Sequence, residues 1–185
     1  MSGFLRANAS GDRAATNRIA IVLGLSLLLF TCPCRILRGS TGTVEKADRI
    51  EVRKAERVMS LLRDGKVLKT YKVALSRVPV GPKEREGDHK VPEGQYVVDV
   101  KNSRSRFHLA LHLSYPNTAD REHARKLGVR PGGNIEIHGL DSKLAWVGGL
   151  HRQVDWTDGC IAVTNSEIEE IWRPVSVGTP VEIRP

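Results

Sequence analysis

The chain is poor in cysteine and in aromatic residues. It has three cysteines among 185 residues, and aromatic residues make up only 5% of it. Cys32 and Cys34 lie close together near the start, so residues 41–185 contain a single thiol, Cys160. One thiol cannot form an internal disulfide, which excludes a disulfide-stapled fold for this part of the chain. The sequence also lacks basic runs interleaved with aromatic residues, which argues against a nucleic-acid-binding surface.

Long apolar runs are scarce too, and the main one lies near the start, at residues 19–31. It follows a stretch that contains Arg6, Arg13 and Arg18, and a bilayer-spanning helix needs roughly 20 apolar residues. A basic stretch followed by a short apolar run is typical of an export signal. We therefore predict that residues 1–40 form an export signal or a retained membrane anchor plus a linker. Only this segment is expected to contact a membrane.

Positive charge is in excess, but much of the excess belongs to this first segment. The net charge is +8, and residues 1–40 contain five of the basic residues and one of the acidic residues. The remaining 24 basic and 20 acidic residues give residues 41–185 a net charge of +4. A weakly cationic surface suits an anionic polymer, although a mixed, solvated surface explains the same composition.

Residues 41–185 are predicted to form one mostly β domain with short helices. Alternating apolar and polar residues predict strands, whereas Pro, Gly and charged residues predict a long loop at 78–94. Acidic residues early and Gly128 late predict a helix over 118–127, and the capping box that begins at Thr164 predicts a second helix ending before Pro174. No βαβ alternation is visible, so an α/β layered fold is disfavoured. The predicted strands are 49–53, 57–62, 67–75, 95–100, 107–114 and 180–184, with a hairpin turn at Asp64 and Gly65.

His138 and Cys160 are the residues best suited to catalysis. A cysteine nucleophile needs a base to accept its proton, and an imidazole serves that role. Residues 135–137 alternate like a strand, which would hold His138 at a strand end, and Gly139 would let the chain turn. Gly159 would keep the space before Cys160 open for a carbonyl substrate. The alternative is a buried structural cysteine and a turn histidine.

The pattern around these residues resembles a known catalytic signature. His138-Gly139, then a loop, then Thr157-Asp158-Gly159-Cys160 is similar to the L,D-transpeptidase catalytic domain (YkuD-type), in which His-Gly precedes Ser/Thr-His-Gly-Cys. Residues 79–83, 86–88, 92–96 and 131–135 resemble further segments of that family in the same order, so the resemblance covers about residues 48–185.

The resemblance implies a β-sandwich with short helices and cysteine-dependent acyl transfer on peptidoglycan stem peptides in the bacterial periplasm. It implies Cys160 as nucleophile, His138 as base and the amides of Gly159 and Cys160 as oxyanion donors. Neither a metal nor an organic cofactor is implied. Thr157, Asp158 and Gly139 complete the predicted active loop, and Tyr115, His151 and Trp156 are predicted to contact substrate.

Two departures from the family pattern leave the acyl acceptor open. Asp158 stands where the family usually has a second histidine, and Ala162 stands where it often has an arginine. One alternative is therefore an L,D-hydrolase or amidase that releases a D-amino acid or a wall-attached protein, such as a lipoprotein. Another is a non-catalytic wall-binding module. His108 and His112 share a strand face, but no third ligand has a matching spacing, so a metal site there is disfavoured.

Overall fold

The computed structural model describes residues 44–185. The predicted export segment, residues 1–40, lies outside the described residues. In the described part, no helix is long and apolar enough to cross a membrane.

Eight strands form one curled sheet, in the order β3-β2-β1-β8-β4-β5-β6-β7. β1 runs parallel to β8 and β6 runs parallel to β7, whereas the other neighbouring strands are antiparallel. The strands are β1 Arg49–Arg53, β2 Val58–Arg63, β3 Lys66–Lys72, β4 Gly94–Ser105, β5 His108–Leu113, β6 Glu136–His138, β7 Ile161–Ala162 and β8 Pro180–Arg184. The prediction of a mostly β fold with short helices is confirmed.

β4 joins the two halves of the sheet. Its first residues pair with β8, from Gly94 to Val97, and its later residues pair with β5. The sheet curls around one apolar core that takes side chains from both halves, among them Ile50, Leu111 and Ile183. Because both halves of the sheet pack on this one core, a single sheet forms two layers like those of a β-sandwich.

The two α-helices begin and end at the predicted signals. α1, Thr118–Leu127, begins after Asn117, whose side chain accepts from Asp120 N, and ends at Gly128, where φ is 69°. α2, Asn165–Trp172, begins with the predicted capping box between Thr164 and Glu167. α2 buries Ile168 and Ile171 against the core and packs on β5.

Some local structure differs from the prediction. β4 extends to Ser105, well beyond residue 100, and β3 ends at Lys72 rather than continuing to residue 75. The segment between His138 and Cys160, predicted as a loop, contains 3-10 helical turns over Ser142–Gln153, interrupted at Gly148 (φ 51°, ψ −134°). The N-cap Asp141 accepts from Lys143 N at 3.0 Å and begins these turns.

Candidate active site

The parallel pair β6 and β7 brings His138 and Cys160 into one cavity. His138 is the last residue of β6 and lies opposite Ala162, while Cys160 directly precedes β7. Alternation along paired strands therefore puts the two side chains on the same sheet face. The cavity has a volume of about 510 Å³. Its lining also includes Arg77, Arg106, Phe107, Gly133, Asn134, Ile135, Leu140, Asp141, Leu144, Trp156, Thr157 and Asp158.

His138 is buried and held rigidly by aromatic neighbours. Its side chain is 1% exposed, and its ring stacks on Phe107 at 4.4 Å between centroids and meets Trp156 edge-on at 5.8 Å. Nδ1 lies 2.7 Å from the carbonyl oxygen of Gly139. Because a carbonyl can only accept, Nδ1 carries the proton and donates it, which leaves Nε2 as the basic nitrogen. Burial lowers the pKa of His138, and the hydrogen bond to Gly139 offsets part of that effect.

Cys160 is half-buried, and its thiol is held in the neutral form. Sγ donates to the carbonyl oxygen of Asn134 at 3.6 Å. Burial raises the pKa of the thiol to about 11, with further increases from the charges of Glu136 and Asp158. A hydrogen bond from the Glu136 backbone and the charge of Lys83 act in the opposite direction. With the thiol and the imidazole both neutral, attack requires proton transfer to His138 rather than a preformed thiolate.

The turn before Cys160 is closed by Thr157 and Gly159. Thr157 is buried, and its hydroxyl donates to the carbonyl oxygen of Cys160 at 2.7 Å. Gly159 has φ 138°, a conformation that side chains disfavour, and an added Cβ would lie 3.0 Å from the carbonyl oxygen of Lys90. The close approach of Lys90 and the positive φ therefore both require glycine at this position. The Gly159 N–H points to the Thr157 hydroxyl at 3.4 Å, so it has an internal partner.

Gly139 lies where α2 approaches the end of β6 closely. A Cβ there would lie 2.5 Å from Asn165 Oδ1 and 3.0 Å from Ile168 Cγ2. Asn165 Oδ1 accepts from Leu140 N at 2.6 Å. The missing side chain thus allows α2 to approach the strand end that carries His138.

Asp158 is exposed and faces two basic side chains. Its Oδ1 lies 3.4 Å from Arg77 Nη2 and 3.0 Å from His89 Nδ1. Burial contributes most to the raised pKa of the Cys160 thiol, and the negative charge of Asp158 raises that pKa further.

The three predicted substrate contacts have different positions. Trp156 lines the cavity, and its Nε1 donates to His151 Nδ1 at 3.4 Å. His151 is 9% exposed and lies behind Trp156, outside the cavity lining, and burial lowers its pKa to about 4. Tyr115 is also outside the lining: its ring is 3% exposed, and its hydroxyl donates to the Pro131 carbonyl oxygen at 3.0 Å. The structure therefore does not bring Tyr115 to the cavity.

Two residues near the site were missed by the sequence analysis. Asp155 accepts from Arg57 and from the Leu75 amide, and so anchors the segment before Trp156. Glu136 is half-buried on the sheet face of His138, and burial raises its pKa. The sequence could have indicated Glu136, because a residue two positions before His138 in a strand lies on the same face. No local signal links Arg57 to Asp155.

The strand histidines have carboxylate partners instead of metal-ligand geometry. His108 Nε2 lies 2.7 Å from Glu169 Oε1, and His112 Nδ1 lies 2.6 Å from Asp99 Oδ1. Within residues 44–185, no group of three or more His, Cys, Asp or Glu side chains could hold a metal ion.

Similarity to known proteins extends across the described domain. The chain is 29% identical over 180 residues to YafK of Escherichia coli K12, which carries a provisional name as an L,D-transpeptidase. That match covers 86% of this chain and 64% of YafK, so the chain spans less than two thirds of its curated relative.

Solved structures show the same fold. The helical cell shape determining protein Pgp2 of Campylobacter jejuni, as its K307A mutant, aligns with a TM-score of 0.59 and 25% identity. That alignment covers 77% of this chain and 48% of Pgp2. Bd1075 of Bdellovibrio bacteriovorus aligns with a TM-score of 0.52 and 22% identity, over 76% of this chain and 48% of Bd1075, which supports the fold alone.

The family model of the L,D-transpeptidase catalytic domain, YkuD, matches residues 47–183. This range contains His138, Cys160 and the whole sheet except Arg184, the last residue of β8. The chain therefore belongs to the YkuD family of L,D-transpeptidase catalytic domains.

Proposed function

We propose that this protein is a cysteine acyltransferase that acts on peptidoglycan stem peptides in the bacterial cell envelope. The observation that carries the proposal is the arrangement of His138 and Cys160 in one cavity. The Nδ1 proton of His138 is used by the Gly139 carbonyl at 2.7 Å, so Nε2 is the nitrogen left to take the thiol proton.

The proposed reaction has two halves. Sγ of Cys160 attacks the amide carbonyl that follows the L-centre of diaminopimelate, and its proton passes to His138 Nε2. His138 then gives that proton to the departing amine nitrogen as the C–N bond breaks, leaving a thioester on Cys160. In the second half, an acceptor amine or water attacks the thioester, His138 takes the acceptor's proton, and Cys160 leaves as a thiolate that His138 reprotonates.

The oxyanion would be stabilised by backbone amides at the turn. Of the two donors expected, the Gly159 N–H already faces Thr157 Oγ1. We therefore assign the Cys160 N–H as the main donor, with the Gly159 amide contributing only if it leaves Thr157.

A hydrolase is the second candidate, and the exposure of Asp158 favours it. Its side chain is 69% exposed beside Cys160, which leaves water a path to the thioester. In that case the product would be a free stem tripeptide, a D-amino acid or a released wall-attached protein such as a lipoprotein. A non-catalytic wall-binding module is the third candidate, because Asp158 and Ala162 replace the histidine and the arginine of the family pattern.

The deciding experiment uses a purified tetrapeptide muropeptide. We expect an acyl-enzyme mass adduct in the wild type and its loss in Cys160→Ala and His138→Gln. Absence of an adduct in the wild type would support the binding module. Partition between cross-linked dimer and hydrolysed tripeptide, measured with and without excess amine acceptor, separates transpeptidase from hydrolase.

A further inference from the structure

Two arginines reach the cavity that contains Cys160, and they differ in how their guanidinium groups are used. Arg106 donates from Nε to Asp141 Oδ2 at 2.9 Å. Arg77 lies 3.4 Å from Asp158 Oδ1 through Nη2, which is longer than a good charge-assisted hydrogen bond. Among residues 44–185, no hydrogen bond from the Arg77 side chain is found. The Arg77 guanidinium therefore has donors available to a ligand in this cavity.

The backbone of Arg77 is fixed beside the nucleophile. Ser76 is buried and forms a parallel bridge with Thr157, and Arg77 N donates to the carbonyl oxygen of Thr157 at 3.1 Å. Thr157 in turn holds the Cys160 carbonyl. Two backbone contacts thus connect Arg77 with the turn that carries Cys160, whereas its side chain is 59% exposed and can reorient.

The contact between Asp158 and Arg77 indicates what the Arg77 guanidinium can bind. The nearest N···O distance between Arg77 and Asp158 is 3.4 Å, and Asp158 also faces His89 Nδ1 at 3.0 Å. A planar guanidinium can bind a carboxylate through two parallel N–H···O bonds, a geometry that Asp158 does not use here. A substrate carboxylate could occupy those donors without displacing a strong internal pair.

We propose that Arg77 is a specificity-determining residue that binds the free α-carboxylate of the amino acid released from the stem peptide. This inference rests on the proposed acyl transfer. In such a peptide, only the amide nitrogen and one carbon separate that carboxylate from the scissile carbonyl. A guanidinium beside the turn that carries Cys160 can therefore reach this carboxylate. A substrate in which this carboxylate is converted to an amide offers Arg77 no negative charge. The protein would therefore prefer to release a terminal amino acid rather than an attached protein.

The test compares two tetrapeptide muropeptides that differ only at the C-terminus, one a free carboxylate and one a carboxamide. We expect wild-type kcat/KM to favour the free carboxylate by about 10- to 150-fold, the range that a hydrogen bond between charged groups provides. Arg77→Gln should remove this preference by lowering kcat/KM for the free carboxylate alone. Arg77→Lys should restore only part of it, because an ammonium lacks the bidentate fork.

Arg106→Gln is the matched control, since it removes one positive charge from the same cavity. It should keep the preference for the carboxylate. Equal rates on both peptides in the wild type, or an equal loss on both in Arg77→Gln, would overturn the inference. So would a loss of preference in Arg106→Gln as large as that in Arg77→Gln.

Binding separates failure of this inference from failure of the proposed function. Calorimetric titration of both peptides into Cys160→Ala needs no turnover. Tighter binding of the free carboxylate that depends on Arg77 would support the inference even if the wild type formed no acyl-enzyme. Equal affinity for both peptides would contradict it even if acylation occurred.

Discussion

Arg57 and Asp155 form an ion pair between residues 98 positions apart in the chain. Nη2 and Nε of Arg57 donate to Asp155 Oδ2 at 2.6 and 3.0 Å, and Asp155 Oδ1 accepts from Leu75 N at 2.9 Å. The pair ties the turn between β1 and β2 to the segment that leads into Trp156 and Cys160.

Asp155→Ala should lower the free energy of unfolding by about 1–3 kcal/mol, because it leaves the buried Leu75 amide without its partner. Arg57→Ala should cost less, since Asp155 keeps the Leu75 contact. Urea unfolding monitored by Trp fluorescence measures both. An Arg57→Ala variant less stable than Asp155→Ala would contradict this account. Lys126→Ala, which loses an exposed pair with Glu122, is the control.

Gly159→Ala should abolish acylation while leaving most of the fold intact. The φ of 138° and the 3.0 Å approach of a Cβ to the Lys90 carbonyl oxygen require the turn to move, and that turn carries Cys160. Mass spectrometry should detect little or no acyl-enzyme, with a circular dichroism spectrum like that of the wild type. Gly178→Ala is the control: its φ is 90°, but a Cβ there meets no atom within 4 Å, and it should retain acylation.

Glu136→Gln should lower the pKa of Cys160. The carboxylate disfavours the thiolate, so its removal shifts thiol ionisation toward neutral pH. We expect alkylation of Cys160 by iodoacetamide at pH 8 to become severalfold faster, with the midpoint of the rate–pH curve moved to lower pH. Asp158→Asn should act in the same direction with a smaller shift. Glu169→Gln, which pairs with His108, should leave the curve unchanged.

Acylation by the wild type should persist below the pH at which an ordinary histidine becomes protonated. Burial lowers the pKa of His138 from 6.5, so its basic form is retained as the pH falls through that value. The acidic limb of kcat/KM against pH should therefore have its midpoint below 6.5. A midpoint above 6.5 would show that His138 is stabilised as the cation in the free protein.

Folding stability should fall as the pH drops from 7 to 5. The pKa of His151 is about 4 in the folded protein against 6.5 for an ordinary histidine, so the unfolded chain takes up a proton that the folded chain does not. The free energy of unfolding therefore falls progressively below pH 6.5 and stops falling below about pH 4. About 2 kcal/mol is lost between pH 7 and pH 5. His151→Gln should show a weaker pH dependence in urea unfolding, whereas the exposed His123→Gln should match the wild type.

The elements that the sequence determined by itself are those whose signals are local. The Asn117 to Gly128 helix, the capping box at Thr164 and Glu167, and strands such as β1 and β8 follow from side-chain periodicity and from end groups within a few residues. The order of His138-Gly139 and Gly159-Cys160 identified the family for the same reason, because a motif is read along the chain.

Tertiary structure decided the features that depend on partners far away in sequence. Gly139 is required by Asn165 and Gly159 by Lys90, and neither close approach can be inferred from neighbouring residues. The tautomer of His138, the high pKa of Cys160 and the exclusion of Tyr115 from the cavity depend on burial, which only the packed sheet defines. Arg77 reaches the cavity because Ser76 pairs with Thr157, which lies 81 positions later in the chain, and no local sequence signal predicts that pairing.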